Sequence, residues 1–150
     1  MRLGGLALIF VLGTACSKPE PLRVHETIKN IHALDGKTVR VTGYLGVCEG
    51  YDCGLFENQQ DAYRLDQIMT AVRRGERSDL DGLPDWLGIG SGNDADKRLA
   101  PFTNSYVMIT GKLSDHCRDE QLRMGCSDRA SELETIESVA KWSPPSSDAP

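Results

Sequence analysis

The sequence predicts a mainly β domain in which five strands form a small barrel, accompanied by an N-terminal helix and helical insertions. The template V-x-[VI]-T-G-x-L occurs twice, as VRVTGYL at Val39–Leu45 and as VMITGKL at Val107–Leu113. Each copy alternates apolar and polar residues, which is typical of a half-buried strand. Each is soon followed by a cysteine, Cys48 or Cys117. The two copies are therefore predicted to be long paired strands, each leading into a disulfide-closed loop.

Length and composition indicate one domain with an ordinary core. The chain has 150 residues, of which 39% are hydrophobic and 26% charged. Its net charge of −5 lacks the strongly basic balance of most nucleic-acid-binding proteins. A groove for single-stranded nucleic acid would need cations such as Arg40, Lys112, Arg118 and Arg123. Nucleic acid is therefore an alternative ligand and not the expected one.

The first fifteen residues are set apart from the fold prediction. Arg2 precedes the apolar run Leu3–Leu12, which is too short to span a bilayer as a stable helix, and small residues then lead into Cys16. This segment resembles the lipobox of bacterial lipoproteins, in which the cysteine is diacylated and the preceding peptide is removed. The leucine stands four places before Cys16, where three is commoner. An ordinary secretory signal peptide is the alternative interpretation.

The lipobox resemblance implies a location. Acyl chains on Cys16, such as palmitate, would anchor the chain in a membrane, since each buried methylene contributes about 0.8 kcal/mol. Ser17 would be the second residue of the mature chain, which implies sorting to the outer membrane with the domain in the periplasm. The predicted organisation is a signal peptide over 1–15, a tether over 16–21, a domain over 22–142 and a disordered tail over 143–150.

Four cysteines remain once Cys16 is set aside: Cys48, Cys53, Cys117 and Cys126. An even number in an oxidising compartment predicts two disulfides. The strand pattern favours the local pairs Cys48–Cys53 and Cys117–Cys126. A four-cysteine zinc site is the alternative, although its second spacing, C-x8-C, is wide for zinc. We expect neither a metal nor a cofactor.

The first half of the domain changes from helical to strand periodicity and back. Leu22–Leu34 has helical spacing and ends before Gly36. Thr38–Val47 is a strand in which Gly43 predicts a bend or a close backbone approach, as a small barrel requires. Gly54–Glu57 is a short return strand. The inward face of the long strand is predicted to be Val39, Val41, Gly43, Leu45 and Val47.

A second helix is predicted over Asn58–Arg74, ending at Gly75 and followed by a surface loop that extends to Pro84. Asp85–Gly90 is a short strand, and Ala95–Phe102 forms one or two helical turns. The apolar face of the second helix consists of Ala62, Leu65, Met69 and Val72.

The second repeat is followed by an ambiguous segment. The predicted inner face of that repeat is Val107, Ile109, Gly111 and Leu113. Glu132–Trp142 fits either period, and Ser131 with Glu134 matches a helix capping box. We predict a strand there, because the barrel would otherwise lack its closing member.

Five strands with a helical insertion between the third and fourth resemble the OB-fold, in which the first and fourth strands pair. Here those would be the two repeat strands. The segment from Leu34 to Gly43, which contains Gly36, Lys37, Val39 and Val41, is similar to a frequent entry to the first OB strand. The domain looks like the small OB-fold lipoproteins and periplasmic proteins of bacteria, a resemblance that implies no defined activity.

The OB resemblance implies a ligand face flanked by the loops after the first and fourth strands. Those are the loops predicted to be closed by disulfides, and rigid loops lose less ordering entropy on binding. Tyr51, Phe56 and Trp86 are the candidate ligand-binding residues, as stacking or packing groups. The alternative is that the disulfides only stabilise the domain and the aromatic residues belong to its core.

Motifs of catalysis are absent from the sequence, which contains no G-x-S-x-G, H-E-x-x-H or P-loop. His116 beside Cys117 raises the hypothesis of a thiol enzyme, although no C-x-x-C occurs. We therefore expect a non-catalytic, membrane-anchored binding or assembly module, with an envelope protein or a glycan as its ligand. A single-stranded nucleic-acid-binding domain and a thiol-based enzyme are the alternatives.

Overall fold

A computed structural model describes residues 20–48, 53–76, 82–90, 93–118 and 132–145. Over these ranges the chain forms a mainly antiparallel sheet flanked by helices, which confirms the predicted mainly β class with helical insertions. The strands are β1 (Leu22–Arg23), β2 (Thr38–Leu45), β3 (Gly54–Phe56), β4 (Trp86–Gly88), β5 (Ser105–Leu113) and β6 (Leu133–Lys141). The α-helices are α1 (Val24–Lys29), α2 (Ile31–Leu34), α3 (Gln59–Arg73) and α4 (Asn93–Leu99), with 3₁₀ turns at Ala100–Phe102 and His116–Arg118.

The two repeats lie side by side, as predicted. β2 pairs antiparallel with β5 along the whole length of β2. At the centre of the pair Val41 opposes Ile109. Gly43 opposes Val107, and Val39 opposes Gly111, so each template glycine faces the first valine of the other copy.

Gly43 marks a close backbone approach, as predicted. A Cβ atom at this position would run into the carbonyl oxygen of Phe56 and would lie 2.9 Å from Val24 Cγ2 and 3.0 Å from Leu55 Cγ. Because no side chain would fit there, α1 and β3 can both approach β2 closely.

The sheet is open, and the predicted closed five-stranded barrel is not confirmed. The strand order is β4-β3-β2-β5-β6, with β1 parallel to β2. The two ends of this order are joined by one isolated parallel bridge between Ile89 and Leu133, where the Gly90 amide N donates to the Leu133 carbonyl at 2.8 Å. β4 has three residues, which is too short to form a continuous ladder along the nine-residue β6.

The ambiguous C-terminal segment is the predicted strand, β6. It pairs with β5 through two register shifts, which are typical of β-bulges. Arg98 of α4 donates to the carbonyls of Ile136 at 2.8 Å and of Glu137 at 2.5 Å, next to the first shift. Pairing with β5 therefore outweighs the local helix preference of the capping-box motif, whose Ser131 lies outside the described residues.

The inner face of the sheet and the short helices enclose one core. The predicted inward aliphatic residues of the two repeat strands β2 and β5 belong to this core, together with residues of the other strands. Val24 of α1, Ile31 of α2 and Leu99 of α4 close it from the sides. The buried members from the strands and their ends are Val39, Val41, Leu45, Cys48, Cys53, Leu55, Leu87, Ile89, Val107, Ile109, Leu113, Leu133 and Ile136.

One predicted inward position proves to be wrong, and the predicted face of the second helix is largely exposed. Val47, assigned to the inner face of the first repeat, is 52% exposed because β2 ends at Leu45. The apolar face of α3 is also not buried: Met69 is 38% and Val72 43% exposed. The helix itself is confirmed, with the Asn58 side chain accepting from the Asp61 amide at its start. Helical periodicity predicted which residues of α3 share an apolar face, but it does not indicate whether another element buries that face.

The predicted N-terminal helix is divided. Its first two residues pair with β2 as β1, and a break at Asn30 separates α1 from α2. Gly36 follows with φ +71°, a conformation that glycine adopts without steric cost. Its amide N donates to the Leu113 carbonyl at 2.9 Å, so the helical segment is tied to the end of β5.

Several predicted features lie outside the described residues. They are the signal peptide over 1–15, residues 146–150 of the tail, Cys16, Ser17, Tyr51, Arg123 and Cys126.

Candidate binding face

A row of aromatic side chains crosses the face of the sheet opposite the core. Trp86 pairs across strands with Phe56, Phe56 with Tyr44, and Tyr44 with Tyr106. The Trp142 amide N donates to the Tyr106 carbonyl at 3.1 Å, and this bond places the Trp142 ring beside the Tyr106 ring. These five residues, Trp86, Phe56, Tyr44, Tyr106 and Trp142, are called the aromatic row.

Packing within the row is specific. Tyr44 and Tyr106 have ring centroids 5.3 Å apart at an interplanar angle of 76°, and Tyr106 and Trp142 are 6.2 Å apart at 61°. Both are edge-to-face arrangements, the favoured geometry of aromatic pairs. The Phe56 ring lies over Gly46 and Gly54, where added Cβ atoms would come within 3.0 and 3.1 Å of it. The glycines therefore make room for the ring.

The middle of the row is covered and its ends are accessible. Phe56 and Tyr44 are each 5% exposed, whereas Trp86, Tyr106 and Trp142 are half-buried. The first turn of α3 lies over the centre, where the Gln59 amide N is 3.5 Å from the Tyr106 hydroxyl.

Burial is the main cause that raises the pKa of Tyr44 above its ordinary value, and the nearby Tyr63 phenol adds to it. The Gln59 side chain, which hydrogen-bonds Tyr44, acts in the opposite direction. Tyr44 is therefore a neutral phenol enclosed between the sheet and α3, which suits packing better than proton transfer.

Trp86 is positioned by β3 and by the segment after β5. Its indole lies over Gly54 of β3, where an added Cβ would lie 3.1 Å from Trp86 Cδ1. After β5, Arg118 Nη2 donates to the Trp86 carbonyl at 2.5 Å. The indole therefore packs on the sheet, and its backbone is held from the start of the second loop.

An ion pair fixes the Trp86 backbone from the second loop. Arg118 Nε donates to Glu132 Oε1 at 2.9 Å, and Glu132 Oε2 accepts from the Gly88 amide at 2.5 Å. Glu132 is 7% exposed. The pair joins β4 to Arg118 and Glu132, and loss of Arg118 would leave the buried Glu132 carboxylate without its cation.

One predicted disulfide is confirmed. Cys48 and Cys53 are joined, with an S–S distance of 2.05 Å, and each is 8% exposed. Because these two sulfurs are bonded to each other, they are not available as thiolate ligands for the alternative zinc site. Cys117 is also disulfide-bonded, and because Cys126 lies outside the described residues the Cys117–Cys126 pair stays a prediction.

The structure brings two of the predicted ligand residues together. Phe56 and Trp86 are cross-strand neighbours, with Phe56 enclosed and Trp86 partly accessible. Their role in binding stays a prediction. Sequence reasoning missed Tyr44, Tyr106 and Trp142 as members of the same row. The alternation of the repeats placed both tyrosines on the outer face, and antiparallel pairing of the two templates would have placed them opposite each other.

His116 lies in a polar cluster beside Cys117. Its Nδ1 is 2.5 Å from Ser114 Oγ and 3.6 Å from Glu134 Oε1. In a Ser-His-acid triad the nucleophile and the acid contact opposite ring nitrogens. Here both oxygens lie at the same nitrogen, and the sulfur that the thiol-enzyme hypothesis requires is in a disulfide.

Of the cations proposed for a nucleic-acid groove, Arg40 and Lys112 are diagonal neighbours on the outer face of β2 and β5, whereas Arg118 follows β5. Arg40 Nη2 lies 2.9 Å from the Met108 sulfur, and Arg118 is paired with Glu132. Lys112 is exposed near the end of β5, and Arg123 lies outside the described residues. Where the chain is described, no group of three His, Cys, Asp or Glu side chains is placed to hold a metal ion.

No protein-family model, no curated protein and no solved structure matches the chain. Within the described ranges, no helix is both long and apolar enough to cross a membrane. A functional assignment must therefore come from the residues and their geometry.

Proposed function

We propose that the chain is an envelope lipoprotein, anchored through acyl chains on Cys16, whose domain is a non-catalytic binding or assembly module of OB-like plan. Its ligand is a segment of another envelope protein, and Trp86 is the anchor residue of the binding face. The lipobox resemblance supports the anchor, and the geometry around Trp86 supports the binding role.

The OB-like plan is supported by the connectivity of the sheet. β2 and β5 are central neighbours, β3 and β4 extend one side, and β6 extends the other. α4 lies between β4 and β5 in the chain. The parallel contact between Ile89 and Leu133 falls where an OB barrel closes. This plan would make the loops after β2 and β5 the borders of the ligand face.

The observation that carries the binding role is the fixation of the Trp86 backbone by Arg118, at the start of the second loop. A half-buried indole whose backbone is held in this way is an ordered anchor that loses little freedom when a ligand packs on it. A partly exposed Trp favours a protein partner, because such residues dominate the energetics of protein interfaces.

Crosslinking in intact envelopes tests the binding role with a matched pair of variants. Trp86→Ala should reduce the yield of the crosslinked partner at least about tenfold, the effect expected when an interface hot spot is truncated. Tyr63→Ala removes an exposed aromatic side chain of α3 that is not part of the aromatic row, and should leave the yield unchanged. Circular dichroism establishes that both variants fold.

Equal yields from the two variants would contradict the proposal. If purified cell-wall or outer-membrane polysaccharide abolishes the crosslinks, the ligand is a glycan and not a protein.

The anchor has its own test. Cys16→Ala should abolish incorporation of a labelled fatty acid, and continued incorporation would refute anchoring at this residue.

A further inference from the structure

α3 carries an apolar stripe that the sheet leaves largely uncovered. Leu65, Ile68, Met69 and Val72 are spaced i, i+3, i+4 and i+7, so they share one face of the helix. Leu65 and Ile68 are half-buried, whereas Met69 is 38% and Val72 43% exposed. None of the fifteen residues of α3, all of them described, is buried. These four residues are called the α3 stripe.

Arginines lie on both flanks of the α3 stripe. Arg64, one residue before Leu65, and Arg73, one residue after Val72, are exposed on opposite sides of the stripe. Arginine side chains can lay their apolar stems along such a surface while their guanidinium groups reach phosphate oxygens. Apolar side chains with arginines beside them are a feature of helices that lie in a membrane interface.

The acidic residues of α3 lie close to the stripe. Asp61 stands four residues before Leu65, on the stripe's side of the first turn, where its carboxylate accepts from Asn58 Nδ2 at 2.9 Å. Asp66 is exposed and stands seven residues before Arg73, so it lies on the same flank as that arginine. The surface that α3 leaves open therefore combines an apolar stripe with flanks of mixed charge.

The N-terminal tether keeps this surface near a membrane, a step that rests on the proposed acylation of Cys16. Six peptide units separate Cys16 from Leu22, and at about 3.5 Å each they span at most about 21 Å. Arg23 forms an ion pair with Glu57, and the His25 amide N donates to Glu57 Oε2 at 3.0 Å. Glu57 stands two residues before α3, so the tether leaves the domain next to the start of this helix.

We propose that the α3 stripe docks into the headgroup region of the membrane that holds the acylated N-terminus, with α3 parallel to the bilayer surface. The stripe alone is small: a stable partnership between two proteins usually buries about 800 Å² on each side, which four side chains do not provide. The tether compensates for this small area, because it turns docking into an intramolecular event at high effective concentration. Docking would fix the orientation of the domain and of Trp86 relative to the membrane.

Depth-dependent fluorescence quenching tests this docking. The lipidated full-length chain is reconstituted in vesicles of phosphatidylethanolamine and phosphatidylglycerol, with or without bromine on the acyl chains. Val72→Trp places a probe on the stripe, and Gln67→Trp places a matched probe on the opposite, exposed face of the same helix. The wild type, with its two native tryptophans, provides the background to be subtracted.

Docking predicts that brominated lipids quench the emission added by Val72→Trp by at least about half, and that added by Gln67→Trp much less. Equal quenching of the two probes, or of neither, would overturn docking while leaving the anchor intact, provided that the chain floats with the vesicles. A Val72→Trp probe shielded from both brominated lipid and aqueous acrylamide would identify a second copy of the chain as the occupant instead. A chain that does not float would refute the anchor, and docking with it.

Discussion

β2 and β5 carry the same seven-residue template, yet their surroundings differ. Their inner faces are alike, and both contribute buried aliphatic residues to the core. On the outer face, Thr42 and Tyr44 of β2 are 4% and 5% exposed, whereas Tyr106 and Met108 of β5 are half-buried. The Thr42 hydroxyl donates to the Leu22 carbonyl of β1 at 3.3 Å. The template therefore determines which residues of each strand face the core. How far the outer face is covered depends on the elements that pack against it.

The two template glycines should differ most in their tolerance of a side chain. A methyl group at Gly43 would meet the Phe56 carbonyl and also Val24 and Leu55, so two further elements would have to move. At Gly111 it would lie 2.6 Å from the Thr135 carbonyl and 3.5 Å from Ile136 Cδ1, next to a register shift in β6 that gives the strand freedom to adjust.

Gly43→Ala should lower the free energy of unfolding by about 3 kcal/mol, and Gly111→Ala by about 1 to 2 kcal/mol. Urea denaturation of the two purified variants measures the difference. A larger loss for Gly111→Ala would reverse the comparison between the strands.

The sequence was sufficient for the parts of the fold that follow from short-range pattern. Strand alternation predicted the inner faces of both repeats apart from Val47, and the strand pattern favoured the bond between Cys48 and Cys53. Exposure of the α3 stripe was not predictable, because periodicity identifies an apolar face but not its neighbours. The place of Trp142 in the aromatic row was also not predictable from the sequence, because it depends on two register shifts between β5 and β6.

The loop after β2 offers the second test, because its disulfide closes within the described residues. Replacing both Cys48 and Cys53 by serine should cost about 2 kcal/mol of unfolding free energy, through the greater entropy of the unfolded chain. Val47→Ser, an exposed change beside the same loop, should stay within about 0.5 kcal/mol of the wild type. Equal stability of the double serine variant and the wild type in urea would show that this loop is rigid without its disulfide.

The smallest effect concerns the segment just after β5. His32 Nδ1 lies 2.7 Å from Asp115 Oδ2, and this hydrogen bond is the main cause that lowers the pKa of Asp115. A carboxyl group with a lowered folded-state pKa adds stability above its unfolded pKa of about 4, and that stability is lost as the pH falls through the folded value. Asp115→Asn should therefore lower the Tm near about pH 6 and not in strong acid, where the wild-type carboxyl is protonated too.

The control for Asp115 is Asp66→Asn, which changes an exposed carboxylate on α3. Its Tm should follow that of the wild type across the same pH range. A Tm difference for Asp115→Asn that persists unchanged into strong acid would assign the effect to lost packing and not to ionisation.

The register of β2 against β5 is the feature on which the aromatic row, the two loops and the binding face all depend. Interstrand nuclear Overhauser effects in the isotopically labelled chain measure it directly. The structure predicts backbone contacts that link Val41 with Ile109, Gly43 with Val107 and Val39 with Gly111. Contacts displaced by one residue would place Tyr44 and Tyr106 on different faces and turn one of them toward the core. That result, or the absence of contacts between the two repeats, would contradict the proposed binding face.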